Sequence, residues 1–155
     1  MNEEYFKDFD KWNDKKKEVN SRIMPTDFFF LEQEVWWASI GMNVGNELDG
    51  KNMDFERPVL IIRKISRDLV WVLPMTRTAK SGDYFHPIKY RGFSDTVAIL
   101  HIRSINTRRL NRFIFRANDE DFATIIEKTA NILPLKTKPP TESGESRSDI
   151  SGAVH

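Results

Sequence analysis

The amino-acid sequence predicts a mainly β protein, a small barrel or strongly curved sheet, with a helix on each side. Short β-prone segments separated by turns fill residues 32–110. Two segments with helical spacing of apolar residues flank them. Of the 155 residues, 39% are hydrophobic and 12% aromatic, which suffices for one modest domain with its own core.

The first predicted helix covers residues 3–23 and ends before Pro25. Large apolar residues recur at helical spacing on one face: Tyr5, Phe9, Trp12, Val19 and Ile23. Three aromatic residues on one stripe must be buried, so we expect the helix to dock on the domain or on a second copy of it. A regulatory or substrate-gating arm is the alternative.

Five strands are predicted where β-branched and aromatic residues cluster: 35–40, 58–65, 69–73, 84–90 and 96–102. The second and third are joined only by residues 66–68, so we expect a hairpin. Glycines punctuate the polar loop after the first strand. Residues 76–83 predict a second loop, and Arg91 with Gly92 predicts a turn.

The last predicted helix runs from Asp119 to Leu133. Asn118 is suited to cap it, and the acidic first turn favours the positive end of the helix dipole. Pro134 ends the helix. The following sequence is rich in Ser, Thr, Pro and charge, and we expect it to be disordered.

Composition narrows the classes of function. The chain has no cysteine, which excludes disulfides and thiolate metal sites and fits a cytoplasmic setting. No apolar run approaches the roughly 20 residues that span a bilayer, so we expect no membrane association. The net charge is +1, but residues 57–116 hold 13 Lys or Arg and three acids, a charge of +10. A basic body suits a polyanion, and a solvated basic surface is the alternative.

Motifs for several other kinds of chemistry are missing. His86 and His101 have no carboxylate beside them at ligand spacing, so no metal site is predicted. The sequence has no phosphate-binding glycine loop, no dinucleotide fingerprint and no hydrolase triad. We therefore expect no cofactor.

An arginine, a threonine and a carboxylate remain as a candidate site. Arg57 begins a predicted strand and Thr76 follows its hairpin partner, so both should lie at one end of the pair. Arginine binds phosphate through two donors, a threonine hydroxyl can donate to a phosphate oxygen, and Glu47 could orient Arg57 or accept a proton. The set suits RNA cleavage by the ribose 2′-OH, since the protein need only align it and stabilise the phosphorane. A surface or salt-bridge role for Arg57 is the alternative.

Several motifs occur in a fixed order: Glu34-Val35-Trp36-Trp37, Gly45-Asn46-Glu47-Leu48-Asp49-Gly50, Arg57-Pro58-Val59-Leu60-Ile61-Ile62, Pro74-Met75-Thr76, and His101-Ile102-Arg103-Ser104-Ile105 with Arg109-Leu110. Through them the chain resembles the MazF/PemK toxin family, bacterial ribonucleases of toxin–antitoxin pairs, over about residues 32–133. The resemblance implies an SH3-like β-barrel with a C-terminal helix. With it we expect a helical extension at 1–31, a barrel domain at 32–134 and a disordered tail at 135–155.

The resemblance also implies an activity and partners. These are a homodimeric, metal-independent endoribonuclease, a single-stranded RNA substrate, a cognate antitoxin whose disordered tail covers the RNA groove, and operator DNA bound together with the antitoxin. By position, Arg57 and Thr76 match the family's catalytic pair and Glu47 its loop carboxylate. The side chains expected to contact RNA are Arg77, Lys80, Arg91, His101 and Arg103.

The chain departs from the family pattern in three places. Leu48 stands where glutamine is usual, residues 51–56 lengthen the loop before Arg57, and His101 replaces a glutamine. For Arg103, bracing the sheet or the dimer is an equally good expectation. One of Trp36 and Trp37 should be core, since successive strand residues alternate faces, and the other suits a dimer interface better than base stacking.

Two other functions stay open from the sequence. One is a nucleic-acid-binding module without catalysis, which would regulate its operon with a partner. The other is a toxin of the same fold that binds a cellular protein.

Overall fold

In the computed structural model, which describes residues 5–134, an antiparallel sheet has one α-helix before it and one after it. The helices are α1 (Phe9–Ser21) and α2 (Asp119–Ile132). The strands are β1 (Glu34–Ser39), β2 (Glu56–Lys64), β3 (Leu69–Thr76), β4 (Phe85–Tyr90), β5 (Phe93–Ala98), β6 (Arg103–Asn106) and β7 (Leu110–Arg116). Short 3₁₀ helices at Ile99–His101 and Thr107–Arg109 flank β6. The tail predicted to be disordered, residues 135–155, lies outside the described residues.

The sheet is strongly curled because β3 has two partners along one of its edges. Its strand order is β4-β5-β3-β2-β1-β7, with β6 also paired to β3. The Leu69 end of β3 pairs with β6, whereas its Thr76 end pairs with β5. The result is an antiparallel half-barrel with a helix at each end. This confirms the predicted class, a mainly β, SH3-like small barrel with flanking helices.

Strand β2 is buried on both faces, which explains its nearly continuous apolar sequence. Leu60 and Ile62 belong to the cluster that also contains Ile125 of α2. Val59 and Ile61 point the other way, into a second cluster with Trp36. Because alternate side chains serve two cores, β2 is a rigid support for the residue at its start.

The hairpin of β2 and β3 confirms the pairing predicted from the short connection. Val59 lies opposite Pro74, and Leu60 lies opposite Leu73. Continuing this register places Arg57 opposite Thr76 at the open end of the hairpin. Both strands are longer than predicted: β2 begins at Glu56, just before Arg57, and β3 continues to Thr76.

The second half of the sheet differs from the prediction. The strand predicted at 96–102 is wrong at both ends, since β5 begins at Phe93 and the chain turns into a 3₁₀ helix at Ile99. Strands β6 and β7 were not predicted. The reason is that β6 has only four residues and β7 buries only Leu110 and Phe115 among polar and exposed neighbours.

Helix α1 is shorter than the predicted 3–23 because its cap lies later. The Asp8 side chain accepts a hydrogen bond of 2.9 Å from the Lys11 amide, so the helix begins at Phe9. Only Trp12 and Val19 of the predicted apolar stripe are buried. Of the three aromatic residues expected to be buried, Trp12 docks on the domain, whereas Tyr5 and Phe9 are exposed in the single chain, as is Ile23. Tyr5 precedes the helix, Ile23 follows it, and Phe9 opens its first turn. Burial of Tyr5 and Phe9 against a second copy stays a prediction.

Helix α2 confirms the predicted cap and covers the sheet. The Asn118 side chain accepts a hydrogen bond of 2.8 Å from the Asp121 amide. Asp121 in turn contacts His86 Nε2 at 2.8 Å. The Lys128 ammonium donates to the Phe85 carbonyl at 2.9 Å. These contacts fix α2 against β4, and the helix ends at Ile132.

Residues 51–56, which lengthen the loop before Arg57, fold into a small hairpin closed at its base. Lys51 and Glu56 exchange backbone hydrogen bonds of 2.8 and 2.9 Å. A Cβ on Gly50 would lie 1.7 Å from the Phe55 carbonyl oxygen, so only glycine fits there. Met53, at the tip, is 86% exposed.

Candidate functional site

A cleft of about 310 Å³ opens where β2, β3 and β5 meet, within the size range of small-ligand sites. We call it the Arg57 cleft. Its polar lining includes Arg57, Thr76, Arg77 and Asp95, and Trp37 forms part of its apolar wall. The structure therefore brings together two of the three residues predicted to form the site, Arg57 and Thr76.

Two backbone carbonyls hold the Arg57 guanidinium. Nε donates to the Asp49 carbonyl at 2.7 Å and Nη1 donates to the Met75 carbonyl at 2.9 Å. These acceptors are neutral, and among the residues that the structure describes the other three of the five guanidinium N–H groups stay free for a ligand. Burial lowers the pKa of Arg57, while the nearby Asp49 and Asp95 carboxylates oppose that shift. The group remains a cation.

Thr76 presents its hydroxyl beside this cation. It is the last residue of β3, and its Oγ1 accepts a hydrogen bond of 3.3 Å from the Thr78 amide. The hydroxyl proton is then free to be donated to a ligand. An anion in the cleft can thus meet a guanidinium and a hydroxyl together.

Asp95 completes the cleft, and sequence reasoning missed it. The residue is only 6% exposed, and its carboxylate has no hydrogen bond or ion pair within the described residues. Burial raises the pKa of Asp95, while Arg77 and Arg57 oppose the shift. A signal was present in the sequence, since Asp95 is one of only three acids in the +10 span of residues 57–116.

Glu47 lies in a neighbouring cleft rather than against Arg57. Its Oε2 accepts a hydrogen bond of 2.9 Å from the Val44 amide, which closes a turn of its own loop. Its neighbours in the second cleft include His101 and Arg103. The contact to Arg57 comes instead from the backbone of Asp49, so a catalytic role for Glu47 stays a prediction.

His101 and Arg103 lie on the segment that follows β5. Burial lowers the pKa of His101, and the positive charges of Lys80 and Arg57 add to this effect. Arg103 Nη1 reaches the Ile40 carbonyl at 3.5 Å. This contact agrees with the expectation that Arg103 braces the sheet, and RNA contact by either residue stays a prediction.

The other basic residues predicted to follow an RNA backbone are exposed. Arg77 lines the Arg57 cleft. The Lys80 ammonium lies 5.0 Å from the Phe85 ring centroid, and the Arg91 guanidinium lies 5.3 Å from the Tyr90 ring. Lys80 and Arg91 lie outside the lining of the Arg57 cleft.

Trp36 and Trp37 point to opposite faces of β1, as the alternation of side chains along a strand predicts. Trp36 is buried and donates from Nε1 to Glu34 Oε2 at 2.9 Å. Trp37 is half-buried in the wall of the Arg57 cleft, with the Arg112 guanidinium 5.2 Å from its ring. The flat ring of Trp37 therefore lines the same cleft as the Arg57 guanidinium.

Two kinds of feature are missing from residues 5–134. No group of three or more His, Asp or Glu is arranged to hold a metal ion. No helix in this part of the chain has the length and apolarity to cross a bilayer.

Comparison with known proteins agrees with this architecture. The family described as the PemK-like, MazF-like toxin of type II toxin–antitoxin system matches residues 32–133. No curated protein matches the sequence.

Among solved structures, MazF from Deinococcus radiodurans is similar with a TM-score of 0.59 and 21% identity, over 68% of this chain and 97% of that one. An endoribonuclease from Mycobacterial species gives a TM-score of 0.56 at 13% identity, over 74% of this chain and 100% of that one. A Mycobacterial endoribonuclease in complex with its cognate antitoxin gives 0.54 at 16% identity, over 69% and 99%. At these identities the likeness concerns the fold.

Proposed function

The chain belongs to the PemK-like, MazF-like toxins of type II toxin–antitoxin systems, and on that premise we propose that it is a sequence-specific endoribonuclease of single-stranded mRNA. The observation that carries the proposal is the Arg57 guanidinium, held by two carbonyls in an open cleft beside the Thr76 hydroxyl. Such a preorganised cation favours a phosphate whose negative charge increases in the transition state.

In the proposed reaction the RNA supplies its own nucleophile. The 2′-oxygen attacks the adjacent phosphorus, the P–O5′ bond breaks, and the products carry a 2′,3′-cyclic phosphate and a 5′-OH. Arg57 binds the phosphorane oxygens through its free N–H groups, and Thr76 donates to a non-bridging oxygen. Because the nucleophile is intramolecular, the reaction requires alignment rather than a metal-bound hydroxide.

Asp95 is the proton acceptor that the cleft offers. Within residues 5–134 its carboxylate is unpaired, and it shares the cleft with Arg57. Glu47, in the neighbouring cleft, accepts a hydrogen bond from its own loop. In the proposed step the 2′-OH proton passes to the Asp95 carboxylate, and the departing 5′-oxygen takes a proton from water. In this scheme Glu47 supports the loop around Arg57, and its own catalytic role stays a prediction.

The RNA backbone would run across the basic surface around the cleft. Arg77 is in the cleft itself, and the exposed cations Lys80 and Arg91 extend the positive surface beyond it. His101 and Arg103 flank the second cleft and would contact the nucleotide next to the cut. The Trp37 ring lies in the wall of the cleft, a position that suits base stacking as well as the dimer interface expected from the sequence.

The same proposal includes partners and a place of action. One of the similar structures is an endoribonuclease with its cognate antitoxin, and others are MazE–MazF complexes. By analogy we propose that this chain forms a homodimer and is bound by a cognate antitoxin, with operator DNA as a ligand of that complex. A toxin that cuts mRNA would act in the cytoplasm.

The test is incubation of the purified chain with a long single-stranded RNA in EDTA, followed by mapping of the product ends. Arg57→Ala is the inactivating variant. Arg63→Ala is the matched control, since Arg63 lies on the same strand with its side chain 67% exposed. We expect discrete cuts with cyclic phosphate ends from wild type and Arg63→Ala, and none from Arg57→Ala.

Two results would overturn this proposal. If a folded Arg57→Ala protein still cleaves RNA, the Arg57 cleft is not the catalytic site. If the folded wild type binds RNA but does not cut it, the protein is a nucleic-acid-binding module and not a nuclease.

A further inference from the structure

The segment before α1 contacts the loop between β1 and β2 mainly through one ammonium group, and the Tyr5 hydroxyl adds a 3.8 Å contact with Met42 Sδ. Lys7 Nζ donates to the Asn43 carbonyl at 2.7 Å and to the Gly45 carbonyl at 2.8 Å. It also pairs with Asp49 Oδ2 at 2.9 Å. The loop thus surrounds the ammonium with two carbonyl acceptors and one carboxylate of opposite charge. The Lys7 side chain is only 17% exposed, unlike a lysine on a solvated surface.

Asp49 connects this ammonium to the candidate active site. Its Oδ1 accepts a hydrogen bond of 2.6 Å from the Asn43 amide, which fixes the loop around it. Its backbone carbonyl accepts the hydrogen bond of 2.7 Å from Arg57 Nε. Lys7 and Arg57 are therefore linked through one residue, Asp49, which is only 8% exposed.

The rest of the segment is anchored independently of Lys7. The Trp12 ring fills the space over Gly41, where a Cβ would lie 2.2 Å from Trp12 Cε2. The same ring lies 5.6 Å from the Phe55 ring. Lys15 pairs with Asp54 at 2.8 Å. The segment is thus held at one end of the loop by packing and at the other by the Lys7 ammonium.

We propose that residues 5–21 act as a brace that holds the loop of residues 41–50, and through Asp49 the guanidinium of Arg57, in the geometry for catalysis. Lys7 is a positioning residue in this brace, and it touches no reacting atom. The positioning of Arg57 for catalysis rests on the proposed nuclease function. The restraint of the loop does not depend on it.

The test compares full-length Lys7→Met with wild type. Methionine keeps the apolar stem of lysine and removes the three donors. Lys11→Met is the matched control, because Lys11 is on the same segment with a side chain 76% exposed. Lys7→Arg restores a cation with several donors. For each protein the measurements are amide hydrogen exchange of residues 41–50 without RNA, and kcat and KM on a single-stranded RNA oligonucleotide.

We expect Lys7→Met to exchange faster in the loop and to lose kcat by about 10- to 100-fold, as for other misplaced catalytic groups, with little change in KM. Lys11→Met should match wild type, and Lys7→Arg should recover part of both properties. Unchanged loop exchange in Lys7→Met would overturn the brace. Faster exchange with an unchanged kcat would overturn the positioning of Arg57. If the wild type cuts no RNA, the nuclease proposal fails, and the exchange measurement still decides whether the segment restrains the loop.

Discussion

Arg57 Nη1 donates a 2.9 Å hydrogen bond to the carbonyl of Met75, the residue just before Thr76. The side chain of one hairpin strand is thus bonded to the backbone of the other, one residue from the hydroxyl with which it would act. The distance between the guanidinium and the hydroxyl is then set by β-sheet geometry.

A charge-conserving substitution at Arg57 should still inactivate the protein. Lysine has a compact ammonium with three donors instead of a planar fork with five, so Arg57→Lys cannot bond both carbonyls and also hold a phosphate through two parallel hydrogen bonds. We expect single-turnover cleavage to fall at least about 100-fold. Arg63→Lys is the control on the same strand. A loss below threefold would show that position 57 needs only a positive charge.

The hydroxyl of Thr76 should matter more than its methyl group. Thr76→Val keeps the shape of the side chain and removes the donor, and we expect kcat to fall about 10- to 100-fold. Thr76→Ser keeps the donor and should retain most of the rate. Equal rates for the two variants would mean that Thr76 is only a packing residue of the cleft.

Asp95 should make cleavage depend on pH. Burial raises its pKa, and the base is active when ionised. The rate should therefore rise with pH through that raised pKa and then level off. Asp95→Asn should lose about 100-fold in rate and lose this limb of the pH profile. If the cleavage rate of Asp95→Asn depends on pH in the same way as that of wild type, the titrating group is not Asp95.

The same residue should make the fold less stable near neutral pH. Its pKa is higher in the folded than in the unfolded chain, so the stability that it contributes at low pH is lost as pH rises through the folded value. Asp95→Asn should therefore raise the free energy of unfolding relative to wild type at pH 7. The gain should shrink at acidic pH, where the wild-type carboxyl is protonated. Urea denaturation at both pH values measures it, and a gain independent of pH would argue against this cause.

Gly41 and Trp12 should be energetically coupled. Gly41 has a φ of +88°, and an added Cβ would collide with the Trp12 ring. We expect Gly41→Ala to cost about 2–4 kcal/mol, combining overpacking with backbone strain. In a Trp12→Ala background the cost should fall to about 1–2 kcal/mol, since only the strain remains. Additive costs in this double-mutant cycle would contradict the contact.

The middle of the fold can be predicted from the sequence better than its ends. The β2–β3 hairpin follows from a dense apolar run and a short connection, and that pairing places Arg57 and Thr76 together. Strand β6 depends on pairing with distant β3, which no local pattern reveals. The start of α1 depends on one capping carboxylate, Asp8, which the apolar period does not mark.

The residues of the candidate site also differ in how well the sequence predicts them. Arg57 and Thr76 are predictable because they are neighbours across one hairpin. Asp95 reaches the cleft only because β5 pairs with the Thr76 end of β3, and the contact of Arg57 with Asp49 is to a backbone atom. Lys7 is more remote still, since its partners lie at least 36 residues away along the chain.

Met53, at the tip of the hairpin of residues 51–56, is exposed, whereas Phe55 and Glu56 at its base are buried. The base is tied by the Lys51–Glu56 bridge, and Glu56 begins the strand that carries Arg57. Lys51 and Asn52 line the Arg57 cleft, and residues 54 and 55 contact helix α1, so Met53 is the position of this hairpin where a substitution should disturb the cleft least. We therefore expect the chain to tolerate sequence drift at Met53, or a label grafted there, with the geometry of the Arg57 cleft unchanged.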